Sequence, residues 1–122
     1  MEQILIIDDD ADILDALHFV LEDAGYTVKS TQNGEDAENL IQAKTLPELI
    51  ILDVLLSGKD GRAICRQLKH VDKTNKIPVI MISAHPAVRQ SVLEAGADVF
   101  ISKPFPITVL LEEVKKILAK KY

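Results

Sequence analysis

The chain has 122 residues, 48% hydrophobic and 27% charged, with a formal net charge of −5 and a pI near 5.1. That length suits one domain over residues 1–122 and leaves no room for a second, while the apolar content is enough for a full core. The acidic balance argues against sequence-independent nucleic-acid binding, which needs a basic face to neutralise phosphates. No apolar run approaches the roughly 18 residues of a membrane span, and the N-terminus lacks the basic start and small-residue cleavage site of a leader, so the expectation is a cytoplasmic protein without membrane contact. Cys65 stands alone in a helical pattern and reads as a small, partly buried side chain.

Short apolar runs then alternate with helical patterns along the chain. ILII (4–7) reads as a first strand and is followed by ADILDALHFVLEDAG, in which Leu14, Leu17, Val20 and Leu21 form a stripe and Gly25 closes the helix. TVKS (27–30) is a second, more polar strand, and GEDAENLIQAK a second helix with Ala37, Leu40 and Ile41 inward. LIIL (49–52), the helix GRAICRQLK, VIMI (79–82), the helix PAVRQSVLEAG and VFI (99–101) continue the alternation. The last helix, ITVLLEEVKKILAKK, places Leu110, Val114, Ile117 and Leu118 on one face and predicts a Glu112–Lys116 pair on the other. Strands that are apolar throughout are what a parallel sheet covered on both faces requires. Five βα units predict an α/β fold, a doubly wound, flavodoxin-like parallel sheet of five strands in the order 2-1-3-4-5, with the polar second strand at an edge.

In that order the C-terminal ends of strands one, three, four and five share one mouth, where sheets of this kind bind ligands. The first strand runs into Asp8, Asp9 and Asp10, the third into Asp53, the fourth into Ser83, and the fifth into Ser102 and Lys103. Adjacent carboxylates repel one another, so the cluster calls for a counter-charge; hard oxygen donors of this kind suit Mg²⁺, aided by Lys103. Taken singly, each residue has a structural alternative. Asp8 to Asp10 serve as helix-start acids, Asp53 as a turn former, Ser83 as a cap and Lys103 as a solvated charge. Their co-location at four neighbouring strand ends favours the site.

These motifs, in this order, resemble the response-regulator receiver domain, the CheY-like family, over the whole chain. ILIIDDD resembles its first-strand motif with the acidic pair at Asp8 and Asp9. LIILDVLLSGKDG resembles its phosphorylation-site motif, VIMISA its Ser/Thr followed by a small residue, and FISKPF its Lys-Pro. The resemblance implies a phosphoacceptor of two-component signalling, not a turnover enzyme, that promotes its own phosphorylation and dephosphorylation. It implies Mg²⁺ held directly by Asp9 and Asp53 with the backbone carbonyl of Leu55, and by Asp8 mainly through water. Asp53 would take a phosphoryl group from a sensor histidine kinase, a phosphotransfer protein or a small phosphodonor. Ser83 and Lys103 would then bind the phosphoryl oxygens, and Phe100 would follow Ser83 inward as a switch. The fourth helix, fifth strand and fifth helix would carry the change to a downstream protein, an effector domain not in this chain, or a second copy as a homodimer. The Lys103–Pro104 bond is implied to be cis.

Two departures from the family pattern stand out. Ser57 replaces the usual Pro, which predicts a less rigid loop. Leu55 and His85 occupy the positions that flank the path of the hydrolytic water in the family, so they bear on phosphoryl lifetime. His18 and His70 read as surface or helix-end residues. Two other function classes compete: a degenerate receiver that binds proteins without accepting phosphate, and an aspartyl-nucleophile phosphatase. The first would lack Asp53 or Lys103, and the second would need a further Asp where Leu55 stands and a substrate-covering cap.

Overall fold

Five short runs, four of them apolar, extend as strands in the computed structural model, which describes residues 3–56 and 58–119. They are β1 (Gln3–Ile7), β2 (Thr27–Thr31), β3 (Leu49–Asp53), β4 (Val79–Ser83) and β5 (Val99–Ser102). All pairings in this sheet are parallel and the order is β2-β1-β3-β4-β5, as the sequence pattern predicts. The polar β2 lies at an edge with only Val28 buried, whereas every residue of β3 and β4 is buried.

Helices α1 (Ala11–Asp23), α2 (Glu35–Glu38), α3 (Gly61–Lys69), α4 (Arg89–Glu94) and α5 (Ile107–Ala119) cover both faces. The two-residue period of a strand divides the core in two. Ile4, Ile6, Leu49, Ile51, Ile80 and Ile82 pack with Leu14, Leu17 and Leu21 of α1 and Leu110, Val114 and Leu118 of α5. Their neighbours Leu5, Ile7, Ile50, Leu52, Val79 and Met81 pack with Ala37, Ile64, Leu68 and Val92 from α2, α3 and α4. Continuous apolarity in the strands is therefore a requirement of two covered faces, each fully buried aliphatic side chain contributing roughly 1.5–3 kcal/mol.

Four details differ from the sequence reading. The second helix is one α turn followed by a 3₁₀ turn over Asn39–Gln42, and Ala43 is already extended. Asn39 is a poor helix former, and so short a helix draws its stability from Ala37, Leu40 and Ile41 against the sheet. The fourth begins as a 3₁₀ turn, Pro86–Val88, before α4 proper. On α5, Lys116 reaches Glu113 at 3.6 Å, so the expected pairing with Glu112 is replaced by one at i, i+3. Between β3 and α3 the chain forms a small antiparallel pair, Leu55–Leu56 with Lys59–Asp60, that no periodicity announces. Ser57, and with it the expectation of a less rigid loop there, lies outside the described residues, as does the predicted end of the last helix beyond Ala119.

Candidate functional site

The adjacency of β1, β3, β4 and β5 brings their C-terminal ends to one edge, and the side chains there divide the work. Asp8 is fully buried. Its N–H donates to the Thr31 carbonyl at 3.2 Å, and its Oδ1 accepts the Asp10 N–H at 2.9 Å. Asp10 is exposed and caps α1, its Oδ1 accepting from the N–H groups of Asp12 and Ile13 at 2.9 and 3.3 Å. The helix-start role thus falls to Asp10, which leaves Asp8 to the interior. Asp9, half-buried between them, lines a polar pocket with Thr31, Gln32, Asn33 and Gly34.

Asp53 ends β3 and is 7% exposed. Lys103 follows β5, anchored by its N–H on the Ser83 carbonyl at 2.7 Å, and its peptide bond to Pro104 is cis. Its ammonium lies 3.1 Å from Asp8 Oδ2 and 3.4 Å from Asp53 Oδ2. Ser83, buried at the end of β4, accepts the His85 N–H on its Oγ at 3.0 Å. A hydroxyl that accepts in this way still carries its own donor proton.

Two buried carboxylates therefore share one ammonium, and the site is short of one positive charge. Burial, then the charge of Asp8, push Asp53 up to about 6, against the pull of Lys103. That donor chemistry fits a hard divalent cation. Among the described residues no three His, Cys, Asp or Glu side chains converge as a ready-made metal cluster. Mg²⁺ does not require one, since it is commonly held by one or two carboxylates with carbonyls and waters. The structure unites Asp8, Asp53 and Lys103, and it places Asp9 toward the loop after β2. Leu55, with a side chain 53% exposed, has only its carbonyl to offer a cation.

On β5, Phe100 is buried, with the Arg89 guanidinium 5.8 Å from its ring centroid, a cation–π contact that covers the ring from α4. The remaining candidates fall outside the mouth. His18 Nδ1 is 3.0 Å from Ser30 Oγ and its Nε2 is 3.2 Å from Glu22; His70 Nδ1 is 2.7 Å from the Arg66 carbonyl. Cys65 is fully buried, more than its helical pattern implies, and burial pushes its thiol up to about 11. For one residue the sequence gives a place but no reason: Gly61 ends the loop of the phosphorylation-site motif. Gly61 donates its N–H to the Val54 carbonyl at 2.6 Å, and its α-carbon packs directly on the Asp53 carbonyl. Its signal in the sequence is its place at the end of LIILDVLLSGKDG, next to Asp60, which caps α3.

The family model described as "Response regulator receiver domain" matches residues 4–115. Among solved structures, the chain is similar to the signal receiver domain of a signal transduction histidine kinase from Syntrophus aciditrophicus, 38% identical, with a TM-score of 0.89 over 98% of this chain and 92% of that one. It is also similar to a CheY-like receiver domain protein from Methanospirillum hungatei, at 28% identity and a TM-score of 0.88, covering 98% and 95% of the two chains. A chemotaxis response regulator of Vibrio cholerae is 25% identical, with a TM-score of 0.86 and coverage of 96% and 98%. No described helix is long and apolar enough to cross a membrane.

Proposed function

Because the chain belongs to the response regulator receiver domain family, typically non-enzymatic phosphoacceptors of histidine kinase two-component systems that use Mg²⁺, we propose that Asp53 is its phosphoacceptor. The observation that carries this reading is the convergence of Asp8 and Asp53, both buried, on the Lys103 ammonium at the ends of neighbouring strands. Asp9 and Asp53, with the Leu55 carbonyl, would hold Mg²⁺ directly, and Asp8 through water. Mg²⁺ when bound supplies neutralising charge to the phosphoryl oxygens.

The ionised Asp53 carboxylate forms the new O–P bond as the bond from phosphorus to a donor imidazole nitrogen breaks. The imidazole leaves with the electron pair and takes a proton from solvent. Lys103, held in place by Asp8, stands where charge builds on the phosphoryl oxygens, and positioned charge is most of what phosphoryl transfer needs. Ser83 then donates its free proton to a phosphoryl oxygen. Phe100, the switch aromatic of this reading, is already buried under Arg89, so the change at α4, β5 and α5 is a repacking around an inward ring. Exposed Leu93 and Val109 on that face support protein contact there, with a downstream target, an effector domain or a second copy. The phosphodonor is a sensor histidine kinase or phosphotransfer protein, and the domain promotes both its own phosphorylation and its dephosphorylation.

Intact-mass measurement after incubation with acetyl phosphate tests the reading. Wild type is expected to gain one phosphoryl group only with Mg²⁺, and Asp53→Asn none. No gain in wild type, together with no response to beryllofluoride, would leave a constitutive protein-binding module as the account. Lifetime follows from Leu55, whose apolar, exposed side chain cannot orient an attacking water. Leu55→Asn is expected to shorten the phosphoryl half-life several-fold, read as faster decay of the phosphorylated mass, and an unchanged half-life would take Leu55 off the water's path.

A further inference from the structure

Gln32 opens the loop after β2, and its side chain crosses to the acidic corner. Its Nε2 donates to the Asp9 backbone carbonyl at 2.7 Å, between residues 23 positions apart in sequence. The side chain is exposed, so burial does not force this contact. The loop is instead shaped in advance to make it. Thr31 Oγ1 donates to Asp36 Oδ2 at 2.6 Å and accepts the Asn33 N–H at 3.0 Å. Asn33 Oδ1 accepts the Glu35 N–H at 2.9 Å, and the Asn33 carbonyl accepts the Asp36 N–H at 3.1 Å. These short-range bonds are Asx- and ST-type turns that stiffen the loop.

The same loop is tied to the corner at two successive backbone positions. The Thr31 carbonyl takes the Asp8 N–H at 3.2 Å, and Gln32 takes hold of the Asp9 carbonyl. On the far side, Asp10 is committed to capping α1. The Asp9 peptide is therefore clamped between a helix cap and a preformed loop, and Asp9 lines a polar pocket with Gln32 and Asn33.

We infer that Gln32 is a positioning residue for divalent-cation binding, holding the Asp9 peptide so that its carboxylate is presented to the cation in a fixed direction. The inference rests on the phosphoacceptor reading of this corner and adds a residue outside the motifs that carry it. Groups that orient a ligand from behind commonly tune metal affinity, and one exposed hydrogen bond corresponds to about a three- to tenfold effect.

The test is calorimetric titration of MgCl₂ into wild type, Gln32→Ala and Gln32→Leu, with melting temperatures in EDTA and the Asp10 amide resonance recorded alongside. Both variants are expected to raise the Mg²⁺ dissociation constant about three- to tenfold at an unchanged melting temperature, with the Asp10 amide displaced and full phosphoryl uptake regained at saturating Mg²⁺. An unchanged constant in the variants overturns the inference, and so does a rise that tracks a fall in melting temperature, which marks general loosening of the loop. If wild type binds Mg²⁺ and accepts phosphoryl while the variants match it, only the role of Gln32 fails. If wild type binds no Mg²⁺, the phosphoacceptor reading fails with it.

Discussion

Replacing Gly61 by alanine is expected to destabilise the fold by about 3 kcal/mol or more and to abolish phosphoryl uptake. A β-carbon at this position would overlap the Asp53 carbonyl oxygen and lie 3.1 Å from its carbon and 3.0 Å from Met81 Cε. The methionine tip can swing aside, but the Asp53 carbonyl is backbone at the end of a fully buried strand. The start of α3 cannot retreat either, because the Gly61 N–H is bonded to the Val54 carbonyl at 2.6 Å. Relief has to come from moving Asp53 itself, the residue proposed to take the phosphoryl group. Gly25→Ala is the matched comparison. Its φ of +102° strains any side chain, but nothing lies within 4 Å of the added carbon, so it costs about 1 kcal/mol and spares the site. Urea unfolding and acetyl phosphate uptake on both variants decide the matter. Near-wild-type stability of Gly61→Ala, or equal losses in the two, would mean that the site backbone is not clamped at this point.

The contrast between Gly61 and the acidic residues shows what a sequence can disclose. The strands were legible because burial on two faces demands continuous apolarity, and the polar β2 marked its own edge position. Asp8, Asp53, Ser83 and Lys103 were legible because strand order places strand ends together whatever the side chains do. The division of labour among Asp8, Asp9 and Asp10 was not, since it depends on which carboxylate turns inward and which caps α1. Gly61 was visible as the end of the motif's loop, but its reason was hidden, because that reason is a close approach to a carbonyl eight positions earlier in the chain. Gln32 was hidden for a similar reason: a polar residue in a loop looks solvated until the fold sets it beside Asp9. The short α2 and the small pair after β3 follow from packing against the sheet, which local propensity does not encode.

Without divalent cation and near neutral pH, Asp53→Asn is expected to be more stable than the wild type by roughly 2 kcal/mol, a shift of roughly 5–10 °C in melting temperature for a domain of this size. Burial and the Asp8 charge raise Asp53 from 3.8 to about 6 even with Lys103 beside it. Between those two values the folded state holds the proton more tightly than the unfolded chain does. The stabilising contribution of this group is therefore fully present below about pH 3.8 and is lost as pH rises through about 6. Asparagine has no such dependence, so the advantage of the variant should shrink steadily as the solution is acidified toward that lower limit. Mg²⁺ should act in the opposite sense, because a cation favours the ionised carboxylate, and the wild type should recover stability in MgCl₂ more than the variant does. Thermal melts across this pH range, with and without MgCl₂, read all three effects. A variant no more stable than wild type near neutral pH would mean that Lys103 outweighs burial and Asp8 together. The expected result has a functional corollary. An ionised Asp53 is a nucleophile kept where folding alone would rather have it neutral, so a bound cation relieves an unfavourable charge, whereas the proposed phosphorylation would add to it and deepen the demand on Lys103 and the cation.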